Sequence, residues 1–284
     1  MEPRDLWQRF ETVHAVTYFT PECRDAHQAA GLKGFWMGYF AGRAAPLGAV
    51  GPAVVTSLFF NFHEAMVGRA LPDAWERATP AAVIAERSAA AAAALRRIDP
   101  SVDERAARVN RSLRSAVAAA PVGGRALFAA NRDLAPDDEV EALWQSCTSL
   151  REHRGDGHVA ALTAAGLDGC QVHVLFVAAT GVSAEVHRDA RGWSPDHWVE
   201  AVDALQRRGL LADDGALTPA GARVRDEIEA VTDRLAAAPW IAVERGEMAT
   251  VTAELDAMAR AVQGAGTIRF PNPMGLPPLT PAAP

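Results

Sequence analysis

The 284-residue chain holds only three cysteines, Cys23, Cys147 and Cys170, and none lies in a Cys-x-x-Cys pair. An odd number without local spacing excludes a disulfide framework and a zinc-finger type of site, and reads as reduced thiols in a cytoplasm. Tyrosine is scarce, with two residues, and aromatics make up 7%. With alanine abundant, this favours helix over sheet. Positive charge is also short: Lys and Arg number 28 against 35 Asp and Glu, a net charge of -7. Nucleic-acid affinity comes mainly from neutralising phosphates, so DNA is not the expected partner unless a local basic face compensates.

Several signatures are missing outright. There is no GxGxxG, no GxxxxGK[ST] and no GxSxG, which removes the support for nucleotide, ATP and serine-hydrolase chemistry. The N-terminal residues show no basic stretch followed by an apolar run, so no signal peptide is expected. Residues 35–62 are apolar over a span that would suffice for a membrane helix. Arg43, Pro46, Pro52 and recurring glycines interrupt them, so they read as buried helices lining a core, with no membrane partner.

What remains is ordinary globular composition, 49% hydrophobic and 22% charged, long enough for one large or two ordinary domains. Internal similarity is the strongest organising signal. Residues 6–34 and 143–169 both open with Leu-Trp-Gln and both reach Ala-Gly-Leu-(Lys/Asp)-Gly. Each is followed by an apolar run and then a Trp-bearing acidic turn, Leu71–Trp75 and Trp193–Trp198. Three matches in the same order favour a duplication.

In the second half, 139–166 and 169–180 have helical apolar spacing. Ser194 and Pro195 open a helix through Arg208, and Gly209 stops it. Residues 210–218 surround Asp-Asp-Gly as a β-hairpin, and Thr218 caps a helix from Pro219 to about Ala238. The fold class expected is mainly α with small β wings, in two related winged-helix-like halves. The divisions are 1–78, a degenerate winged-helix-like N-terminal half; 79–138, Ala-rich connecting helices facing solvent, with a turn at Pro121; 139–240, a C-terminal winged-helix half; and 241–284, a helix with a Pro-rich tail, extended or disordered.

Gly209 to Arg223 resembles the wing and following helix of MarR-type regulators. His14-Ala-Val-Thr-Tyr-Phe-Thr-Pro-Glu22, the Gly34–Gly48 run and Leu150–His158 are similar to an actinobacterial family that includes the SalK-like proteins of polyether gene clusters, usually labelled helix-turn-helix. The resemblance runs up to Trp240. It implies a helix-turn-helix scaffold and a setting in polyketide-like specialised metabolism, but no shared activity.

The residues themselves offer four candidate chemistries. The helix 194–208 would be the DNA-reading helix, yet it carries Asp196, Glu200 and Asp203 against Arg207 and Arg208, and the wing adds Asp213 and Asp214. A major-groove helix needs Arg, Lys, Asn or Gln, so a winged helix kept as scaffold is preferred. His14, Tyr18 and Glu22 share a helical face if the helix runs through Pro21. Arg43 and His63 sit in apolar sequence, and a buried Arg43 needs a carboxylate, Glu22 or Glu64. The string Arg151–His158 reads as a tight turn at Gly155 and Gly157 presenting Asp156 beside His158, a minimal acid–base pair or else a capping cluster. Finally His14, His63, His158 and His173 are candidate ligands of a metal or, with aromatic walls, a haem, although no local ligand spacing supports either.

The resulting expectation is a cofactor-independent enzyme whose pocket takes a bulky, largely apolar small molecule. His158 or His14 carries the proton, Asp156 or Glu22 orients it, and Tyr18 and Arg43 hold an oxygen. Trp36, Tyr39, Phe59, Phe62, His63 and His173 complete the walls. A MarR-type ligand-responsive regulator with the same pocket as sensor is the alternative, with a haem or metal enzyme and a binding or carrier protein without chemistry as further readings; a homodimer is compatible with any of them.

Overall fold

The computed structural model describes residues 2–280. Met1 and the last four residues of the Pro-rich tail lie outside the described residues. The first segment forms α1 (Pro3–His14), α2 (Val16–Phe19) and α3 (Pro21–Ala29). Pro21 has no N–H to continue the helix and begins a new one, with Thr20 extended before it. The apolar stretch then folds into α4 (Gly34–Ala44), α5 (Pro52–Phe59), α6 (Glu64–Gly68) and α7 (Asp73–Arg77), with a short 3-10 turn at Ala45–Leu47.

The alanine-rich connection forms α8 (Pro80–Ile98) and α9 (Val102–Ala119). These are core helices and not the solvent-facing ones expected. Ala90, Ala91, Ala92, Ala94 and Leu95 are buried on α8, and Val109, Leu113 and Ala116 on α9. Small side chains give little outward hydropathy signal but let helices approach closely. After a turn at residues 121–124 comes α10 (Ala126–Arg132).

The central element is α11 (Glu139–Ala164), 26 residues long. Asp138 caps it by accepting from the amides of Val140 and Glu141, both at 3.0 Å. Seventeen of its residues are buried, so apolar periodicity is blurred: its first half packs among α1, α8, α9 and α16, its second against α12, α14 and α15. The chain continues with α12 (Gly169–Thr180), α13 (Ala184–Asp189), α14 (Pro195–Arg207), α15 (Pro219–Ala236), a 3-10 turn at Ala238–Ala242, and α16 (Arg245–Gly264). Capping boxes at Asp168/Gln171 and Ser194/His197 start α12 and α14. Left-handed Gly181 and Gly209 end them.

The expected β wings are not formed. Between α14 and α15 a single antiparallel bridge pairs Leu211 with Leu217, and no strand occurs among the described residues. The Asp-Asp-Gly turn does form, with Ala212 and Ala216 hydrogen-bonded at 2.9 Å. Its arms are too short for a ladder, because Thr218 must turn back to cap α15 through the Gly221 amide.

The repeated Ala-Gly-Leu motif makes the same local structure twice. Gly31 and Gly166 are left-handed. The following leucine amide reaches back to His27 O at 3.0 Å in one case and to Leu162 O at 3.2 Å in the other. Both leucines, Leu32 and Leu167, are buried, so each copy is a helix C-terminus locked by its own hydrophobic contact.

Residues 60–63 join the apolar segment to the C-terminal helices. Asn61 O accepts from Trp193 Nε1 at 3.0 Å and pairs with His173 Nε2 at 3.3 Å, while the His63 amide donates to Arg191 O at 2.9 Å. Phe60 holds a positive φ of 47°, and Gly169 packs so tightly under its carbonyl that an added Cβ would sit 2.2 Å from the oxygen. The tail after α16 is irregular, as expected, but it is packed. Ile268 and Leu276 are buried, and buried Asn272 closes a turn by accepting from the Met274 and Leu276 amides. No single helix among the described residues is long and apolar enough to cross a membrane. Helices α11 and α12 reach that composition only as a pair, and they meet at a 96° bend.

Candidate functional site

A cavity of about 520 Å³ lies between α11, α15, the apolar segment and the tail. Its walls are mixed, with an apolar part that includes Leu58, Phe59, Phe62, Leu162, Val172 and Phe176. Into it come Tyr18, Tyr39, Arg43, Glu152, His158, His173 and Arg191. Tertiary folding thus gathers Tyr18, Tyr39, Arg43, Phe59, Phe62, His158 and His173 from the sequence candidates into one space. A second void of about 80 Å³ lies behind Tyr18, Tyr39 and Arg43 and is bounded by His14, His27, Arg87 and Trp144.

Arg151–His158 is not a turn. It lies inside α11, and neither glycine there has a positive φ. Gly157 is small for a packing reason: an added Cβ would sit 2.7 Å from Arg125 Nη1, which is bonded to His153 O. Two glycines in a polar string looked like a break, but the neighbours bury both flanks and hold the helix. The expected pairing of Asp156 with His158 fails for the same reason, since residues two apart on a helix point away from each other. Asp156 Oδ2 instead accepts from the Phe128 amide at 2.9 Å, at the start of α10. Burial pushes its carboxyl up to about 6.

His158 is oriented by threonine. Its Nδ1 is 2.9 Å from Thr232 Oγ1, and that hydroxyl donates to Ile228 O at 2.7 Å. With its hydrogen committed, Thr232 accepts, so Nδ1 carries the proton and Nε2 presents a lone pair. Burial, partly offset by Glu229, brings the His158 imidazole down to about 4, so it is neutral around pH 7.

His14 uses the same device. Its Nδ1 meets Thr148 Oγ1 at 2.9 Å, and Thr148 donates to Trp144 O at 2.9 Å. Nε2 therefore accepts from the Tyr18 hydroxyl, 2.9 Å away. Burial, reinforced by Arg151, holds His14 well below its usual value, and burial raises the Tyr18 phenol. The pair is a neutral hydrogen-bond relay. Glu22 does not join it: α2 ends at Phe19, and Glu22 on α3 is ion-paired with Arg97.

Arg43 is neutralised by neither Glu22 nor Glu64. Its Nε and Nη2 donate to the two oxygens of Glu152, each at 3.1 Å, and Arg151 Nη1 adds a 2.7 Å bond to the same carboxylate. Burial alone would raise Glu152, but Arg151 and Arg43 outweigh it and hold the carboxyl at about 2. Arg43 Nη1 donates to the Tyr39 oxygen at 3.0 Å, leaving the Tyr39 hydrogen free to donate elsewhere. Glu152 and Arg191 escaped the sequence reading. Glu152 lay inside the supposed turn, and Arg191 stands 148 residues beyond Arg43 in a polar loop.

The other candidates lie apart. His63 stacks on His197, with its Nδ1 accepting from the Ala65 amide, and Trp36 packs on Phe40 and Phe62 behind the cavity wall. The four histidines do not converge: His14, His63, His158 and His173 have separate partners, and no cluster of three His, Cys, Asp or Glu suited to a metal occurs among the described residues.

Helices α12, α13 and α14, with the turn before α15, follow the order of a winged helix-turn-helix. The outward face of α14 shows Asp196, Val199, Glu200 and Asp203 with Arg207, and the turn tip shows Asp213 and Asp214. Arg208 is spent on Ala165 O and Gly166 O at the end of α11. Fold and cavity together define a helical helix-turn-helix protein with an internal space of ligand size. A family model described as a helix-turn-helix family matches residues 3–269, and the chain belongs to that family. Comparison with curated proteins finds no match, and neither does comparison with solved structures.

Proposed function

We propose that the chain is an enzyme of specialised metabolism on a repurposed winged-helix scaffold, catalysing acid–base cyclisation, isomerisation or hydrolysis of a bulky, largely apolar small molecule. The observation that carries this reading is the 520 Å³ cavity, which combines apolar and charged walls with an unprotonated imidazole and a free phenol hydrogen. A low pKa makes His158 a mild base that is always in its accepting form at neutral pH. Tyr39, polarised by Arg43, donates to a substrate oxygen, and the Tyr18–His14 relay accepts or returns a proton beside it. A polyketide-like substrate follows from the family resemblance alone, and the twin Ala-Gly-Leu turns are read as traces of a duplication.

The test is genetic and chemical together. Metabolite profiles are compared for the producing strain, a strain lacking this chain, and strains complemented with wild type or His158→Gln. The proposal expects one compound to accumulate in the deletion, to be consumed on wild-type complementation, and to persist with His158→Gln. Full restoration by His158→Gln would remove the base.

A ligand-responsive regulator is the second reading, favoured by the α12–α14 order. Its acidic reading face argues against it, because carboxylates repel phosphates. Fluorescence anisotropy on duplex DNA at low salt separates the two: the enzyme reading expects no binding, and salt-sensitive micromolar binding would favour the regulator.

A further inference from the structure

The charges around the cavity do not cancel. On the α15 side they do: Arg4 and Arg154 pair with Glu229 and Asp233, and Arg225 faces Glu229 and Asp226. On the opposite side stand Arg43, Arg151 and Arg191, with only Glu152 and Glu11 as counter-charges. Three guanidinium groups meet two carboxylates, and the one without an acid partner is Arg191.

Arg191 is 8% exposed. Its Nη1 donates to Ala190 O at 3.2 Å and its Nη2 to Pro273 O at 2.6 Å, both neutral carbonyls. Its Nε is buried with no acceptor. Of five N–H donors two are engaged, so three remain without an acceptor. The guanidinium carbon lies 4.8 Å from the centre of the Phe62 ring, which forms the cavity wall. A buried cation is costly without an anion, and a buried donor without an acceptor adds to that cost. Burial, with Arg43 and Arg151 nearby, accordingly holds the Arg191 guanidinium below its usual value.

We infer that the cavity's ligand is an amphipathic carboxylic acid, an apolar body with a single carboxylate that pairs with the Arg191 guanidinium. The inference rests on the ligand-cavity reading above and deepens it by naming the ligand's head group. One excess positive charge matches a monocarboxylate, whereas a phosphate monoester would bring nearly two negative charges. The planar fork suits a carboxylate's two oxygens. The apolar body then lies along Phe59, Phe62 and Phe176, between the α11 and α15 walls.

The probes are pyrenebutanoate and pyrenebutanol, which share a fluorescent apolar body and differ in the head group. Both are titrated into the full-length protein and followed by pyrene emission. The acid is expected to bind wild type about tenfold more tightly than the alcohol or better, since a charge-assisted pair is at stake. Arg191→Gln should erase that preference, bringing the acid's affinity to the alcohol's or below it. Arg191→Lys keeps the charge but lacks the fork, and should fall between.

Equal binding of acid and alcohol to wild type overturns the carboxylate inference while leaving the apolar cavity standing, and this arm needs no variant to fold. A preference that survives in Arg191→Gln assigns the head group to another residue and overturns it as well. Displacement of the bound acid by dodecyl phosphate more readily than by dodecanoate would replace a carboxylate ligand with a phosphate one. Binding of neither pyrene compound would sink the cavity reading together with the inference.

Discussion

His158 Nδ1 lies 2.9 Å from Thr232 Oγ1, whose own hydrogen is committed to Ile228 O. This fixes the imidazole tautomer without a carboxylate. The same arrangement recurs at His14 and Thr148. A carboxylate partner would make the imidazole more basic, whereas a threonine only orients it. Both histidines are therefore kept neutral, and the base in the cavity is always available. Thr232→Val removes the acceptor of the Nδ1 proton and leaves the ring as buried as before, so its NMR titration midpoint should stay near 4 or fall, while the fixed Nδ1–H tautomer is lost. A midpoint that rises towards the ordinary value would mean that the threonine, and not burial, holds it down.

Glu152 is the counter-charge of buried Arg43 and half-buried Arg151. Glu152→Gln leaves Arg43 without a carboxylate and Arg151 with Glu11 alone, and should cost about 3–5 kcal/mol in urea unfolding at pH 7. The wild-type contribution has a defined pH window. The carboxyl is at about 2 when folded and near its ordinary 4.5 when unfolded, so its stabilisation is complete above pH 4.5 and lost as pH falls towards 2. Glu152→Gln should flatten the stability profile in that window.

Asp156 has the opposite sign. Its carboxyl is raised to about 6 in the fold, so the folded state binds the proton more tightly than the unfolded chain does. Stability is greatest when Asp156 is protonated and declines as pH rises from about 4 through 6, by at most about 3 kcal/mol. Asp156→Asn should abolish that decline while still accepting from the Phe128 amide. Denaturant midpoints at pH 4.5 and 7.5 make the comparison.

The two glycines of α11 should respond differently to alanine. A Cβ at Gly155 meets only ordinary contacts, the nearest being Glu152 Oε2 at 3.7 Å. Gly155→Ala should then stabilise the helix by about 0.5–1 kcal/mol. At Gly157 the Cβ would press on Arg125 Nη1 at 2.7 Å and Leu235 at 3.4 Å. Gly157→Ala should destabilise by about 1–3 kcal/mol through overpacking. Thermal melts of both variants would show whether the helix or its neighbours set the requirement.

Truncation after Gly266 removes buried Ile268 and Leu276, together with Pro273, Met274 and Gly275 from the cavity wall. The two buried aliphatic side chains alone predict a loss of about 3–6 kcal/mol. The shortened chain should also admit iodide to cavity-bound pyrenebutanol faster than wild type does, read by fluorescence quenching.

Residue by residue, the sequence settled what local chemistry settles. The capped starts of α14 and α15, the stop at Gly209 and the acidic face of α14 were legible, with Pro21 as a condition on the first helix, because each depends on a few adjacent residues and on the backbone groups they satisfy. The gathering of Tyr18, Arg43, Phe59, Phe62, His158 and His173 was anticipated as a pocket from residue type, but their meeting is tertiary. Only packing decided that Arg151–His158 is helix, since the cost of two glycines is small beside the burial on both sides of α11. Only packing chose Glu152 as the partner of Arg43, 109 residues away, because an ion pair depends on where two chain segments meet and leaves no mark in spacing. The wing failed as a strand pair for the converse reason: its turn signal was sound, but a ladder needs longer arms than the cap of α15 leaves.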